Sequence, residues 1–356
     1  MIKMFARKHF SKMLVAVCIL LVLSIIWPID TWVELMSDKD EAVVKLYSNL
    51  RIQPIPPIKL RNHTIQRLSK DIFVKENSKD PAYEHAHSYL YETLIEPQVQ
   101  CSSTTFLFIG VISRPSSFKH REAYRETVLH PIVNGCIEEM RYLFILGNTN
   151  NYEVQQNIKE ENKKYGDILQ GNFTDSYQNL TYKTLFLINW SLQNCPAAQF
   201  TFKLDDDVFV VIEDVHRYLK LNSFNEHTIL GSVFRGAKPN RDTSSKWHVK
   251  NFNGTEYPVY VSGTAYLLSE SLLRPLFQSA MSLTFMRIED VFVTGVSAKN
   301  TGLEISFLQF PGFTFYQSGL NPDQIDFKSK KSIHGVNTEQ LQYLYDKMIM
   351  ENSSRC

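Results

Sequence analysis

The sequence lacks an excess of charge of either sign, and this excludes one broad class of partner. Its 356 residues include 38 Lys and Arg against 37 Asp and Glu, a formal net charge of +1. A chain that binds nucleic acid through its overall charge needs a clear excess of basic residues. The sequence also lacks long repeats and low-complexity tracts, and 44% of its residues are hydrophobic, as in a globular protein with a sizeable core. We therefore expect no nucleic-acid partner.

Charged residues are absent from residues 13–29, and residues 14–26 are almost wholly apolar. A run of about 17 residues is close to the lower limit for a membrane-spanning helix. Basic residues precede the run and acidic residues follow it, which places the N-terminus in the cytosol. A cleaved signal peptide is the alternative, but residues 26–29 lack the small side chains of a cleavage site. We predict a cytoplasmic tail over residues 1–12, a type II signal anchor over residues 13–29 and a lumenal remainder.

Cysteine is scarce, and its distribution suits an oxidising compartment. One of the five cysteines, Cys18, lies in the predicted anchor; the four others are Cys101, Cys136, Cys195 and Cys356. An even number of cysteines allows full pairing in the lumen, and three pairings are possible. Six Asn-x-Ser/Thr sequons are candidate glycan acceptors there: Asn62, Asn172, Asn179, Asn189, Asn253 and Asn352.

The residues after the anchor divide into a polar stem and a globular region. Residues 30–100 are polar, with a proline-rich break at residues 54–57, and we predict a stem that is helical near residues 87–94. From residue 101 to 356 we predict one domain, in which strands alternate with helices. The predicted strands are 105–112, 141–146, 200–204, 229–233 and 257–261, and the predicted helices are 120–129, 153–164, 177–192, 213–221 and 269–278. This alternation indicates an α/β sheet that binds ligands beyond the carboxyl ends of its strands.

Three successive carboxylates, Asp205, Asp206 and Asp207, lie between two strand-like runs, residues 199–204 and 208–212. An apolar setting disfavours ionised groups unless they are paired or bind a metal. Carboxylates about 5 Å apart repel by about 3 kcal/mol at an effective dielectric constant of about 20. A divalent cation removes this repulsion, and hard oxygen ligands suit Mg²⁺ or Mn²⁺. The alternative is a solvated turn, in which Asp is common; the position after a strand of an α/β sheet favours the metal site.

A second acidic pair, Glu289 and Asp290, is also set into apolar sequence. Two such sites suggest a division of labour, in which one holds a metal and the other accepts a proton. The alternative is an acidic helix start, which the helix dipole favours.

Eight short segments together resemble the β1,3-galactosyltransferase family, glycosyltransferase family 31, over about residues 105–334. In chain order they are REAYRET at 121–127, FILG at 144–147, YGDI at 165–168, DSYQNLTYKT at 175–184, FKLDDDVF at 202–209, KW at 246–247, YPVYVSG at 257–263 and EDV at 289–291. The sequence departs from the family pattern at four points. Val128 stands where Trp is usual, Ala265 stands where Gly is usual, and two cysteines usual in the family are absent from residues 260–261 and 294–296.

The resemblance implies a GT-A-type nucleotide-sugar-binding sandwich, a UDP-sugar donor, Mn²⁺ and a Golgi membrane location. Carried over residue by residue, it implies that Asp207 and His334 hold the metal and that Asp290 is the catalytic base. It places six residues on the donor side: Arg121, Arg125, Asp175, Lys183, Asp205 and Asp206.

The activity implied is an inverting transfer of galactose, or of an N-acetylhexosamine, to the 3-hydroxyl of a glycan acceptor on a protein or lipid. The donor sugar, the acceptor glycan and the oligomeric state stay open. An inactive sugar-binding member of the same fold is the alternative, but such a protein would typically have lost Asp207 or Asp290. A metal-dependent phosphohydrolase would have a cluster of several His and Asp, which this sequence lacks.

Overall fold

A mixed eight-stranded sheet forms the centre of the fold, with the order β1-β4-β3-β2-β5-β8-β7-β9. Strands β2 to β5 run parallel to one another, whereas β8 is antiparallel to both β5 and β7. A separate two-stranded sheet pairs β6 with β10. The strands are β1 Thr93–Ile95, β2 Leu107–Ile112, β3 Met140–Asn148, β4 Ile168–Thr174, β5 Phe200–Asp205, β6 Val208–Val210, β7 Thr228–Phe234, β8 Tyr260–Ser269, β9 Ser306–Gln309 and β10 Ser332–His334.

Helices cover both faces of the large sheet. They are α1 Phe118–Glu126, α2 His130–Val133, α3 Tyr152–Tyr165, α4 Leu180–Asn194, α5 Ile212–Leu221, α6 Glu270–Met281, α7 Ala298–Asn300 and α8 Thr338–Glu351, and a π-helical segment, Val291–Ser297, precedes α7. The fully buried β2 shows the division: Leu107, Ile109 and Val111 join the core beneath α1, α3 and α8, while Phe108 and Ile112 join the core beneath α4. Alternate side chains of a strand point to opposite faces, so β2 contributes to both cores.

Local sequence accounts for where several helices begin and end. The Asn151 side chain accepts a hydrogen bond of 3.1 Å from the backbone N–H of Val154 and caps α3. Gly166 ends α3 with a φ of 69°, a conformation that glycine adopts without a steric penalty. Pro131 lies in the first turn of α2, where its missing N–H costs no helical hydrogen bond.

The computed structural model describes residues 92–249, 252–313 and 321–351, all within one compact unit, Ser78–Cys356. The predicted tail, the anchor over residues 13–29 and most of the predicted stem lie outside the described residues, as do Asn62 and Asn352. Among the residues described, no helix is both long and apolar enough to cross a membrane.

The structure confirms the α/β alternation and corrects some boundaries. The predicted helix at residues 87–94 conflicts with β1, since Thr93 pairs with Gly171 at the antiparallel edge of β4. The strand predicted at residues 257–261 begins at Tyr260 and continues to Ser269, because ladders to β5 and β7 extend its pairing. Helix α1 ends at Glu126, three residues before the predicted end.

The two substituted positions, Val128 and Ala265, lie in the core. Val128 is 3% exposed and follows α1, and Ala265 is 3% exposed in β8 opposite Leu204. Both side chains therefore contribute to packing between elements.

Candidate functional site

The Asp triplet lies at the carboxyl edge of the parallel strands. Strands β2 and β5 pair so that Ile112 lies opposite Asp205, and the Asp206 backbone N–H donates to the Ile112 carbonyl at 3.2 Å. The Tyr124 hydroxyl lies 2.7 Å from the carbonyl oxygen of Asp205 and also contacts the Val208 carbonyl. The triplet therefore forms a turn between β5 and β6 that backbone contacts hold in place.

Asp207 and His334 face each other across the small sheet. In that sheet His334 pairs with Val208, so its ring lies beside the triplet, and its Nε2 is 3.5 Å from Asp207 Oδ2. The backbone N–H groups of Gly335 and Val336 donate to the Asp207 carbonyl at 2.9 and 3.0 Å. Partial burial and the charge of Asp205 raise the pKa of Asp207. The structure thus brings together the two residues that the sequence predicts as metal ligands.

This pair fits a divalent cation in the chemistry of its donor atoms. A carboxylate oxygen and an imidazole nitrogen suit Mn²⁺, and the two side chains are 44% and 34% exposed, which leaves room for further ligands. Within residues 92–249, 252–313 and 321–351 there is no group of three or more His, Cys, Asp or Glu that could hold a metal. A cation bound here would need oxygen atoms from a substrate or from water.

Ser113, directly after β2, connects the triplet to two buried cations. Its hydroxyl donates to Asp206 Oδ2 at 2.7 Å and lies 3.3 Å from a donor nitrogen of Arg121. Its carbonyl accepts a hydrogen bond of 2.6 Å from Lys183 Nζ. Burial raises the pKa of Asp206, and the bond from Ser113 opposes that shift. Sequence reasoning missed this residue, since the only signal is a serine at the end of a buried strand.

Three of the residues predicted to line the donor side are buried below it. Arg121, Arg125 and Lys183 are 0%, 5% and 2% exposed. Lys183 forms an ion pair with Asp175 at 2.7 Å, and Asp175 also accepts a hydrogen bond of 2.8 Å from the Gly147 N–H. Burial lowers the pKa of Lys183, although Asp175 opposes the shift. In this structure the charges of the three residues are therefore buried and paired with carboxylates.

Two carboxylates that the sequence analysis did not single out neutralise the arginines. Glu161 pairs with Arg121 at 2.6 Å and with Arg125 at 2.8 Å, and Asp167 pairs with Arg125 at 2.8 Å. The side chains of all four groups are at most 8% exposed. Such a network is satisfied internally, so breaking it by removing one partner would leave an uncompensated buried charge.

Asp290 is held at the start of the π-helical segment by two backbone donors. Its Oδ1 accepts from the Val291 N–H at 2.8 Å, and its Oδ2 accepts from the Gly263 N–H at 3.0 Å. Burial raises the pKa of Asp290, and the two hydrogen bonds oppose the shift. Because β8 runs against β5, its first residues meet the edge at which the parallel strands end. This brings Gly263 and Asp290 to the same edge as the Asp triplet.

A second buried carboxyl lies behind Asp290. The Tyr266 hydroxyl donates to Glu289 Oε1 at 2.6 Å, and Lys203 Nζ lies 3.8 Å from Glu289 Oε2. Burial raises the pKa of Glu289 to about 7, although the charge of Lys203 opposes this. Glu289 is 6% exposed, so it supports the site from below.

Two exposed aromatic side chains lie beside one basic group. Tyr177 and Trp247 are 53% and 54% exposed. Lys246 Nζ lies 4.4 Å from the Trp247 ring centroid and 6.0 Å from that of Tyr177. The pKa of Tyr177 is raised by burial and by the charges of Asp290 and Asp205. We call Tyr177, Lys246 and Trp247 the aromatic rim.

The four described sequons differ in how accessible they are. Asn253 is exposed, whereas Asn189 is 9% exposed inside α4 and accepts a hydrogen bond of 3.0 Å from Gln193. Partly buried Asn172 donates to Glu92 at 2.6 Å, and Asn179 donates to the Thr174 carbonyl at 2.7 Å. A glycan on Asn189 conflicts with the packing of α4, in contrast to the sequence-based prediction.

A family model described as galactosyltransferase matches residues 119–309, more than half of the 356 residues. The matched region includes Asp175, Lys183, the Asp triplet and Asp290, whereas His334 lies beyond it.

Curated galactosyltransferases and N-acetylglucosaminyltransferases are similar to this chain in sequence. Beta-1,3-galactosyltransferase 2 of Mus musculus is 32% identical over 267 residues, which cover 72% of this chain and 61% of that protein. N-acetyllactosaminide beta-1,3-N-acetylglucosaminyltransferase 4 of Homo sapiens is 32% identical over 246 residues, covering 68% of this chain and 63% of that protein. The chain thus spans less than two thirds of the length of either relative. Among solved structures, the WbbM bifunctional glycosyltransferase in its apo form matches with a TM-score of 0.38 and 10% identity, over 73% of this chain and 53% of that one.

Proposed function

The chain belongs to the galactosyltransferase family, and from that membership we propose that it is an inverting β1,3-hexosyltransferase. It transfers galactose or an N-acetylhexosamine from a UDP-sugar to the 3-hydroxyl of a glycan acceptor. The similar proteins include transferases named for either kind of sugar, so the donor class is proposed no more narrowly than this. The mixed sheet with helices on both faces is consistent with a GT-A-type sandwich.

One observation supports the proposal most strongly: residues far apart in sequence meet at one sheet edge. The Asp205–Asp207 turn ends β5, His334 reaches Asp207 from β10, and Asp290 is fixed through the first part of β8. An edge that holds a cation ligand pair beside a separately held carboxylate suits a reaction with an anionic leaving group and a proton to remove.

In the proposed reaction the acceptor hydroxyl oxygen bonds to the anomeric carbon as the bond from that carbon to the UDP oxygen breaks. UDP departs with the electron pair, and attack from the opposite face inverts the anomeric configuration. Asp290 accepts the hydroxyl proton in its ionised form. The two backbone donors on Asp290 fix its orientation, which is how a positioned base contributes to rate.

Asp207 and His334 are the residues that would hold Mn²⁺, which when bound would neutralise the diphosphate charge. The hydrogen bond from Ser113 fixes the orientation of the Asp206 carboxylate beside this pair. The buried ion pairs beneath the edge keep the donor-side loops in place.

The aromatic rim supports a glycan as the acceptor. Aromatic rings present apolar faces together with a polar group, and a sugar ring has an apolar face edged by hydroxyls. The exposure of Trp247 and Tyr177 leaves such ring faces free to contact an acceptor, and the charge of Asp290 acts on Tyr177.

Turnover of UDP-sugars by the purified chain tests the proposal. We expect UDP release and a β1,3-linked product with Mn²⁺, loss of both with a chelator, and a fall in kcat of at least about 100-fold in Asp290→Asn, since the amide cannot accept the proton. Lys220→Met, which changes an exposed residue of α5, is the matched control.

Turnover that is independent of metal would overturn the role of Asp207 and His334, and full activity of Asp290→Asn would overturn the role of the base. Binding of UDP-sugar without transfer to any acceptor would favour the alternative of an inactive sugar-binding protein.

We also propose that the protein is a single-pass type II protein of the Golgi membrane, with residues 30–356 in the lumen. The bond between Cys101 and Cys195 supports this, because structural disulfides form in the oxidising secretory pathway.

A further inference from the structure

Lys203 is a buried cation in the strand that leads into the Asp triplet. It lies in β5 between Phe202 and Leu204, which are both fully buried, and its own side chain is 4% exposed. A buried ammonium group is costly unless charged partners and hydrogen bonds satisfy it. Its partners therefore indicate what the residue is for.

Those partners belong to both halves of the site. Lys203 Nζ lies 2.5 Å from Asp205 Oδ1, on the side of the metal pair. It also donates to the Gly263 carbonyl and lies 3.8 Å from Glu289 Oε2, on the side of the base. Within the described residues, Lys203 is the one cation in ion-pair contact with carboxylates from both acidic motifs.

The connection from Lys203 to the base is short. Gly263 accepts from Lys203 through its carbonyl and donates to Asp290 Oδ2 through its N–H at 3.0 Å. A Cβ on Gly263 would lie 3.1 Å from Glu289 Oε2 and 3.2 Å from Asp290 Cβ, so a side chain there would press on both acidic residues. A displacement of Lys203 would therefore move Asp205 and the backbone donor that orients Asp290.

We propose that Lys203 is a positioning residue that fixes the distance between the nucleotide side of the site, through Asp205, and the proton-accepting side, through Gly263 and Asp290. This inference rests on the proposed transfer reaction. It explains how the donor and the acceptor are kept in line for that reaction. Lys203 touches neither substrate and acts through the groups that do. A misplacement of about 1 Å in such an arrangement can lower the rate about 100-fold.

The test separates positioning from stability by changing Lys203 and its buried partner together. Lys203→Met alone leaves Glu289 without its cation and is expected to lower the melting temperature, because an unpaired buried charge is destabilising. Lys203→Met with Glu289→Gln removes both charges and is expected to restore most of the melting temperature. The double variant is compared with Glu289→Gln alone, and Lys220→Met is the control for loss of a surface Lys–Glu pair.

We expect the double variant to have a kcat about 30- to 100-fold below that of Glu289→Gln, although the two have similar melting temperatures. We expect its affinity for UDP with Mn²⁺, measured by calorimetric titration, to be about 10-fold weaker, because Asp205 has lost its anchor. Equal kcat and equal UDP affinity in the two variants would overturn the inference and leave Lys203 a purely structural cation.

The same measurements distinguish this inference from the proposed function. If the wild-type chain binds UDP but transfers no sugar, the proposed function fails, and the UDP affinities of the two variants still decide whether Lys203 positions Asp205. If the wild-type chain transfers sugar and the variants match, only the inference about Lys203 fails.

Discussion

Glu289 is a carboxyl group whose protonation depends on folding. Burial raises its pKa in the folded state to about 7, from a usual value of 4.5. A group with a raised pKa stabilises the fold below its unfolded pKa, and that contribution is lost as the pH rises through the folded pKa. Stability that depends on Glu289 is therefore present below about pH 4.5 and is lost between that pH and about pH 7.

We expect Glu289→Gln to remove this dependence. From pH 4.5 to 7.5 the free energy of unfolding of the wild type should fall by up to about 3 kcal/mol relative to the variant. Urea unfolding of both proteins across that range measures the difference. Glu139 is the control with the opposite pH dependence. The hydrogen bond from Lys220 lowers its pKa, so its contribution to the free energy of unfolding is lost as the pH falls. A constant difference between wild type and Glu289→Gln would contradict the buried, protonated carboxyl.

Asparagine exposure yields a prediction about modification. In a secretory host we expect a glycan at Asn253, which is exposed, and none at Asn189, whose side chain is buried in α4. Asn253→Gln should then lose the mass of one glycan, and Asn189→Gln should lose none. Glycopeptide mass spectrometry measures both. Because glycans are added only in the lumen, an unmodified Asn253 would also count against the proposed orientation.

At the scale of elements, the contact between β2 and α4 depends on a glycine. A Cβ on Gly110 would lie 2.3 Å from Leu187 Cδ1, at a point where Leu187 is fully buried. This close contact places α4 and its Lys183 beneath Ser113. The position of the buried lysine therefore depends on how closely the helix approaches the strand.

We expect Gly110→Ala to lower the free energy of unfolding by about 1–3 kcal/mol through overpacking. Leu187→Ala alone should cost about 2–5 kcal/mol through the cavity that it leaves. The double variant should be more stable than the sum of the two losses predicts, because the new methyl group occupies part of that cavity. Chemical denaturation of the four proteins completes the cycle, and strict additivity would contradict direct contact.

The sequence predicts the parallel strands β2, β3 and β5 and most helices well, because continuous apolar runs such as 105–112 and the apolar face of α4 are strong local signals. It misses the parallel strand β4, which pairs with β3. It places β8 poorly, since the pairing of Ala265 with Leu204 depends on a partner 61 positions away in the chain. Sequence pattern did not indicate β10 either: three residues become a strand only because β6 pairs with them.

The candidate site was also predicted only in part. Motifs in the sequence identify Asp207, His334 and Asp290 as candidate site residues, and the structure brings them to one sheet edge. The contacts among Lys203, Gly263, Glu289 and Tyr266 could not be predicted, because each contact joins different elements. The burial of Arg121, Arg125 and Lys183 was also beyond sequence reasoning, since it depends on Glu161, Asp175 and Asp167 meeting them in space.

At the scale of the whole molecule, one disulfide joins the segment before β2 to the end of α4. Cys101 and Cys195 are 94 positions apart, and the chain between them contains β2 to β4 and the first four helices. Cross-linking so long a loop restricts the unfolded chain. Of the three pairings that the sequence left open, only one contains the bond between Cys101 and Cys195.

Replacing both Cys101 and Cys195 by Ser should lower the free energy of unfolding by about 2–4 kcal/mol. Urea unfolding of the variant and of the oxidised wild type, with the bridge verified by peptide mass, measures the loss. Equal stability would show that the unfolded chain gains no freedom when the bridge is removed.

The small sheet of β6 and β10 has a consequence for biosynthesis. The ribosome completes Asp207 long before His334, which lies near the last helix. The proposed metal pair is therefore incomplete in a nascent chain until β10 has been made. A truncated chain that stops before residue 332 would keep the Asp triplet and Asp290, but it would lack β10 as the partner of β6 and His334 as the second proposed metal ligand.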